Sequence, residues 1–187
     1  MKRGILGTML VAAALMAGTL TASTKGTAGA PQTGASLESS LRNQILTYSN
    51  YTLWDAVAFR VDQGNVELSG AVTQPFKKAD LEAIVRRTPG VVSVTDKIEV
   101  LPLSSFDDRL RLQVARAIYS DPILSRYAMG AVPAIHIIVD NGRVTLTGSV
   151  GSAMEKQLAG TRASGAGLSF GPVINHLAVE LPPAKKS

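Results

Sequence analysis

The chain has 187 residues, 45% of them hydrophobic and 18% charged, with a formal charge of +5, two histidines and no cysteine. That length suits one medium domain or two small ones. Zero cysteine excludes a disulfide scaffold, a thiolate-ligated metal, a thiol nucleophile and a lipidated N-terminal cysteine.

Residues 1–28 read as an export signal and its cleavage region. Lys2 and Arg3 precede an apolar stretch from Ile5 to Leu20, and Thr21-Ala22-Ser23 and Gly26-Thr27-Ala28 offer small residues for cleavage. The stretch is short for a membrane span, which needs about 20 residues, and Ala134 to Val139 is only strand-sized. The expectation is a periplasmic mature chain that begins between Thr24 and Gly29 and has no transmembrane span. Cleavage lowers the charge to +3 after Ser23, or to +2 after Ala28, which also removes Lys25. No dense basic stripe interleaved with aromatics remains, so nucleic acid is not an expected partner.

The remainder is a repeat. Val61-Asp62-Gln63-Gly64-Asn65-Val66-Glu67-Leu68-Ser69-Gly70-Ala71-Val72 recurs as Val139-Asp140-Asn141-Gly142-Arg143-Val144-Thr145-Leu146-Thr147-Gly148-Ser149-Val150, seven of twelve positions identical at an offset of 78. Lys78 and Lys156 keep that offset, and after one gap Val94, Ile98 and Val100 match Val173, Leu177 and Val179. Such repetition signals two homologous modules.

In chain order, Leu41 and Ile45 mark a first helix. Each repeat block is a hairpin whose turn residues, Asp62 and Gly64, then Asp140, Asn141 and Gly142, are structural; an Asn-Gly loop between alternating apolar positions calls for a type I′ turn. That register pairs Val57 with Gly70 and Ile135 with Gly148, on a face where a missing side chain admits a helix. Phe76, Ala79, Ala83 and Ile84 form the buried stripe of a second helix that stops at Pro89-Gly90, before a third strand from Val92 to Val100. The second copy opens on a capping box, Ser105-x-x-Asp108, followed by Leu110, Val114, Ala117 and Ile118 on one face and a stop at Asp121-Pro122. Its last helix carries Gln157 and Arg162 where the first copy has Ala79 and Ile84, and Gly-rich sequence follows, so that helix is expected to be shorter. The fold class is α+β: two tandem α-β-β-α-β modules, 37–101 and 104–181, each a small three-stranded mixed sheet covered on one face by two helices. Residues 182–187 are a disordered tail.

This order, with V-x-x-G-x-V-x-L-x-G-x-V at each hairpin, resembles the BON domain (bacterial OsmY and nodulation), and the tandem behind an export signal resembles periplasmic proteins of that family. The resemblance implies no enzyme activity and no cofactor. It implies binding to phospholipid or other envelope components, in envelope or osmotic stress. A soluble chaperone-like protein that shields unfolded exported chains is the alternative.

Chemistry-bearing candidates are sparse. Gly160 to Gly171 has neither Gly-Lys-Ser/Thr nor G-x-G-x-x-G spacing and reads as a helix stop and loop. Asp107 and Asp108 suit a helix N-terminus, Trp54 reads as a packing residue, and the two histidines have no metal-ligand companions. Arg109, Arg111 and Arg116 are candidate contacts for anionic lipid. On the sheet face away from the helices, Ala58, Arg60, Glu67, Ser69, Thr95, Lys97 and Glu99 of the first module are charged or polar. The second module has His136, Ile138, Thr145, Thr147, Ile174 and His176 there instead. Depletion of charge marks this as a candidate face for a partner or for self-association; the alternatives are an ordinary exposed sheet or a surface covered by the first module.

Overall fold

The computed structural model describes residues 34–130 and 132–180; the expected signal segment and the tail 182–187 lie outside the described residues. Helix α1 (Gly34–Leu46) buries Leu37, Leu41 and Ile45, four residues apart on one face. Strands β1 (Ala56–Asp62) and β2 (Asn65–Val72) pair antiparallel, with Phe59 opposite Leu68 and Val61 opposite Val66. Gln63 and Gly64 turn the chain with φ of 47° and 85°, the type I′ geometry that matches strand twist. Helix α2 (Pro75–Arg86) carries Pro75 in its first turn, where no backbone N–H is needed, and leads to β3 (Ser93–Val100), parallel to β2.

The second module repeats this plan with α3 (Ser105–Tyr119), a 3-10 turn (Ser125–Ala128), β4 (Ile135–Asp140), β5 (Arg143–Val150) and α4 (Ala153–Ser164). Its last strand is broken into β6 (Ile174–Asn175) and β7 (Ala178–Val179), each parallel to β5. The molecule is α+β, two tandem modules with a core each.

Four expectations need correction. The buried stripe of α2 is Lys77, Leu81 and Val85, and Phe76 is exposed; an apolar-only pattern fails here because a lysine with a buried partner occupies a core position. The N-cap of α3 is Ser104, whose hydroxyl accepts from Asp107 N at 3.2 Å. Helix α4 is as long as α2, 12 residues each. Arg162 does not weaken it, because its guanidinium grips the buried Asp121 carboxylate at 2.8 Å. Finally, Gly70 and Gly148 admit no helix. Their φ values are +112° and +106°, and a Cβ on either would lie 2.0 Å from a carbonyl oxygen of the neighbouring strand, that of Ala56 or Ala134.

The modules are not beads on a string. Leu53 and Trp54, just before β1, pack against the second core, and Val132, just before β4, packs against the first. Ile137 N also donates to Leu53 O at 2.8 Å, so the first module's lead-in strip lies along the outer edge of β4.

Candidate interaction surfaces

The charge-depleted face of the second module divides in two. Ile174 and His176 are exposed and Thr145 and Thr147 half-buried, whereas β4 is buried from Ile135 to Val139. His136 is 8% exposed, with its ring 5.5 Å from that of Tyr51 and tilted by 53°. His136 and Ile138 therefore do not belong to an open partner face. The first module covers that side, because its lead-in strip takes the place an external strand would occupy. On the first module the corresponding face stays wet. Lys97 pairs with Glu67 at 2.7 Å, and this contact, aided by Arg60, holds the exposed Glu67 carboxyl below its ordinary value.

The three arginines of α3 separate equally clearly. Arg109 and Arg116 are exposed, two helical turns apart. Arg111 is buried: its guanidinium donates to Asp108 at 2.5 Å and to Val139 O at 2.7 Å. It is a structural tie from helix to strand edge, so the expectation that it meets lipid is corrected. Tyr119 completes the same edge by donating to Ile135 O at 2.5 Å. Among the described residues, three alternate positions of β4 thus have their outward groups occupied by Tyr119, Leu53 and Arg111.

Sequence reasoning missed the residues beside Arg109. Leu168 is 83% exposed and Phe170 69% exposed, on the loop between α4 and β6. Phe170 lies flat on Phe106, centroids 4.9 Å apart, and its N–H donates to Gly142 O at 2.8 Å. Arg109, Leu168, Phe106 and Gln113 line one shallow depression of about 250 Å³. The repeat held a signal for this. At the offset of 78, Phe170 falls on Val92, also exposed, whose N–H donates to Gly64 O at 2.8 Å. Each module hangs an apolar side chain over its hairpin turn, and the second adds Leu168 and an arginine.

Between the modules, Trp54, Leu101, Leu103, Arg111 and Leu112 line a cleft of about 320 Å³. Behind it lies a buried polar cluster. Asp55 accepts from Thr52 N, Thr73 N, both threonine hydroxyls and Lys77 Nζ, the last at 2.7 Å. Burial raises the Asp55 pKa, yet these donors outweigh it and hold the carboxyl below its usual 3.8. Among the described residues no group of three His, Asp or Glu side chains could hold a metal ion, and no helix is long and apolar enough to cross a membrane.

The BON domain family matches residues 35–102 and 107–180. Two solved structures of CdsD, a structural protein of the type III secretion system of Chlamydia trachomatis, align over 77% of this chain at 14% and 15% identity, both with a TM-score of 0.31. This chain spans 64% and 61% of theirs, less than two thirds of either. No curated protein matches the chain. Two family matches, one on each copy of the hairpin repeat, account for most of the sequence, and the chain belongs to the BON-domain family as a tandem of two modules.

Proposed function

We propose that this protein is a non-enzymatic, periplasmic interaction protein that binds anionic phospholipid peripherally through its second module, in envelope or osmotic stress. The observation that carries this reading is the surface formed by Arg109 and Arg116, with exposed Leu112 between them on α3 and exposed Leu168 beside Arg109. Cationic heads attract an anionic interface while neighbouring apolar side chains enter it. Each arginine contributes about 1 kcal/mol there.

The test is sedimentation with phosphatidylglycerol vesicles, against phosphatidylcholine vesicles as control. Arg109→Ala with Arg116→Ala should weaken binding about 30-fold, the loss of about 2 kcal/mol. Salt should weaken the wild type in the same direction. Unchanged binding by the double variant overturns the assignment. Suppressed aggregation of an unfolded client without any vesicle binding would support the chaperone-like alternative in its place.

A further inference from the structure

We propose that the seam between the two modules is a pH-sensitive latch, closed while His136 is neutral and released when its imidazole gains a proton. The proposal is independent of the lipid reading and rests on what surrounds residues 51–55. This strip has one firm end and one borrowed end. Asp55 anchors it in the first module by accepting three hydrogen bonds, two from Thr73 and one from Lys77, while Thr52 N and Oγ1 donate to it within the strip. Its other grip is on the second module: the Ile137–Leu53 hydrogen bond and the packing of Leu53 and Trp54 on the second core.

His136 sits where β4 faces that strip. Its Nδ1 is buried without a hydrogen-bond partner, and so is the hydroxyl of Thr147, its cross-strand neighbour. A neutral imidazole can leave one nitrogen without a proton. An imidazolium carries a proton on both, and the one on Nδ1 would be an enclosed donor with no acceptor, a costly arrangement. The titratable groups facing His136 from the strip are Tyr51 and Asp55. Burial pushes the Tyr51 hydroxyl up to about 12, so it stays neutral. Asp55 attracts a charged imidazole, but its carboxylate is already committed to Lys77 from α2. From β5 the neighbours are Thr147 and Gly148, which carry no charge.

The balance of these effects fixes the direction. Burial lowers the His136 pKa below its ordinary 6.5, and the carbonyls of Asp55 and Thr52, with the Asp55 charge, offset only part of this. Once the strip leaves β4, the imidazole meets water and recovers its ordinary value. Protonation therefore favours the open seam. The effect is nil above about 6.5 and grows as pH falls through the lowered closed-state pKa. Each pKa unit of difference shifts the open-to-closed ratio about tenfold. Asp55 stays ionised throughout this window, so its anchor persists while the His136 side lets go. Opening frees Ile137 N–H and the buried half of the second module's sheet face.

Trp54 is the chain's single tryptophan and lies in the seam, so it reports directly. Acrylamide quenching of its fluorescence should rise as full-length protein is taken from about pH 7.5 to pH 5. The exposed His176, changed as His176→Gln, should leave that rise intact. His136→Gln, and His136→Phe, which keeps a ring against Tyr51, should abolish it. A wild type with flat quenching, or His136 variants that still respond, overturns the latch. If neither variant folds, the ring resonances of His136 in the wild type decide. A midpoint below 6.5 supports the proposal, and one at or above 6.5 overturns it.

Discussion

Asp107 pins the hairpin turn of its own module through Gly142: its Oδ1 accepts the Gly142 N–H at 2.8 Å, while Oδ2 takes that of Asn141 at 3.0 Å. One carboxylate, 1% exposed, thereby satisfies both N–H groups of the turn. Its neighbour Asp108 points elsewhere on the helix, is exposed and pairs with Arg111. Adjacent residues in a helix lie about 100° apart, so the two acids do different work. Counting three residues before Leu37, as Asp107 stands before Leu110, gives Gly34 in the first module, which has no carboxylate to offer.

Replacing that carboxylate should destabilise the second module. Asp107→Ala removes two charge-assisted hydrogen bonds and strands a buried Gly142 N–H, a cost of about 3 kcal/mol. Asp107→Asn keeps one acceptor and should lose roughly half as much. Urea denaturation monitored by circular dichroism measures both; an alanine variant within about 1 kcal/mol of wild type would contradict the role.

The Asp55–Lys77 pair makes a second, signed prediction. Asp55→Asn leaves a buried ammonium without its counter-ion and should cost about 3–5 kcal/mol. Lys77→Met should cost less, since the carboxylate keeps its four donors from Thr52 and Thr73. The folded Asp55 pKa lies below the unfolded value of 3.8. Its contribution is therefore complete above 3.8 and is lost as pH falls through the lower folded value. Wild-type stability should drop steeply below about pH 3.8, and the Asp55→Asn variant should show a shallower drop. Parallel acid-unfolding curves would count against this assignment.

Legibility in the sequence followed the range of the forces involved. The hairpins, their register and the tandem order are local. Alternation around Asn141-Gly142, repeated around Gln63-Gly64, specifies which side chains face each other before any tertiary contact forms. What failed was long-range. Lys77 joins a core stripe only because Asp55 waits 22 positions upstream, and Arg111 is drawn inward by a β4 carbonyl 28 positions away. The strip Tyr51 to Asp55 has no periodicity at all, so nothing local announces that it closes the second module's sheet edge. His136 and Ile138 looked free for that reason. Leu168 and Phe170 looked like part of a featureless Gly-rich loop, although comparison with Val92 would have picked out Phe170.

Two glycines of the second module should respond in opposite senses. Gly148 needs its φ of +106°, and a Cβ there would collide with Ala134 O, so Gly148→Ala should cost about 3 kcal/mol or more. Gly165 caps α4 at φ −88°, where the nearest atom to a new Cβ is 3.7 Å away. Gly165→Ala should therefore gain about 0.5 kcal/mol by restricting the unfolded chain. Thermal unfolding of the two variants separates them; a stabilised Gly148→Ala protein would mean that the backbone at this glycine is not fixed.

The last prediction concerns the free edge of β3. Leu101 N donates to Val72 O at 2.9 Å, so the odd-numbered residues at this end of β3 face β2 and the even-numbered ones face outward. Ile98 is one of the outward positions, and both its backbone groups are taken. Its N–H donates to Asp96 Oδ1 at 2.8 Å, and its carbonyl accepts from Lys78 Nζ at 2.6 Å. The second module guards the same place differently: Leu177 N donates to Asn175 Oδ1 at 3.2 Å, and Asn175 Nδ2 donates to Lys156 O at 2.7 Å. The lysine recurs in the sequence, but only Lys78 uses its ammonium at the edge. An unguarded eight-residue edge strand is a template for pairing with another chain. Lys78→Ala with Asp96→Ala should therefore increase self-association, read as a concentration-dependent rise in mass by sedimentation. Lys156→Ala should leave it at the wild-type level, because only the Lys156 backbone takes part. Equal sedimentation of the double variant and wild type across the same concentrations would show that these two side chains do not guard the edge.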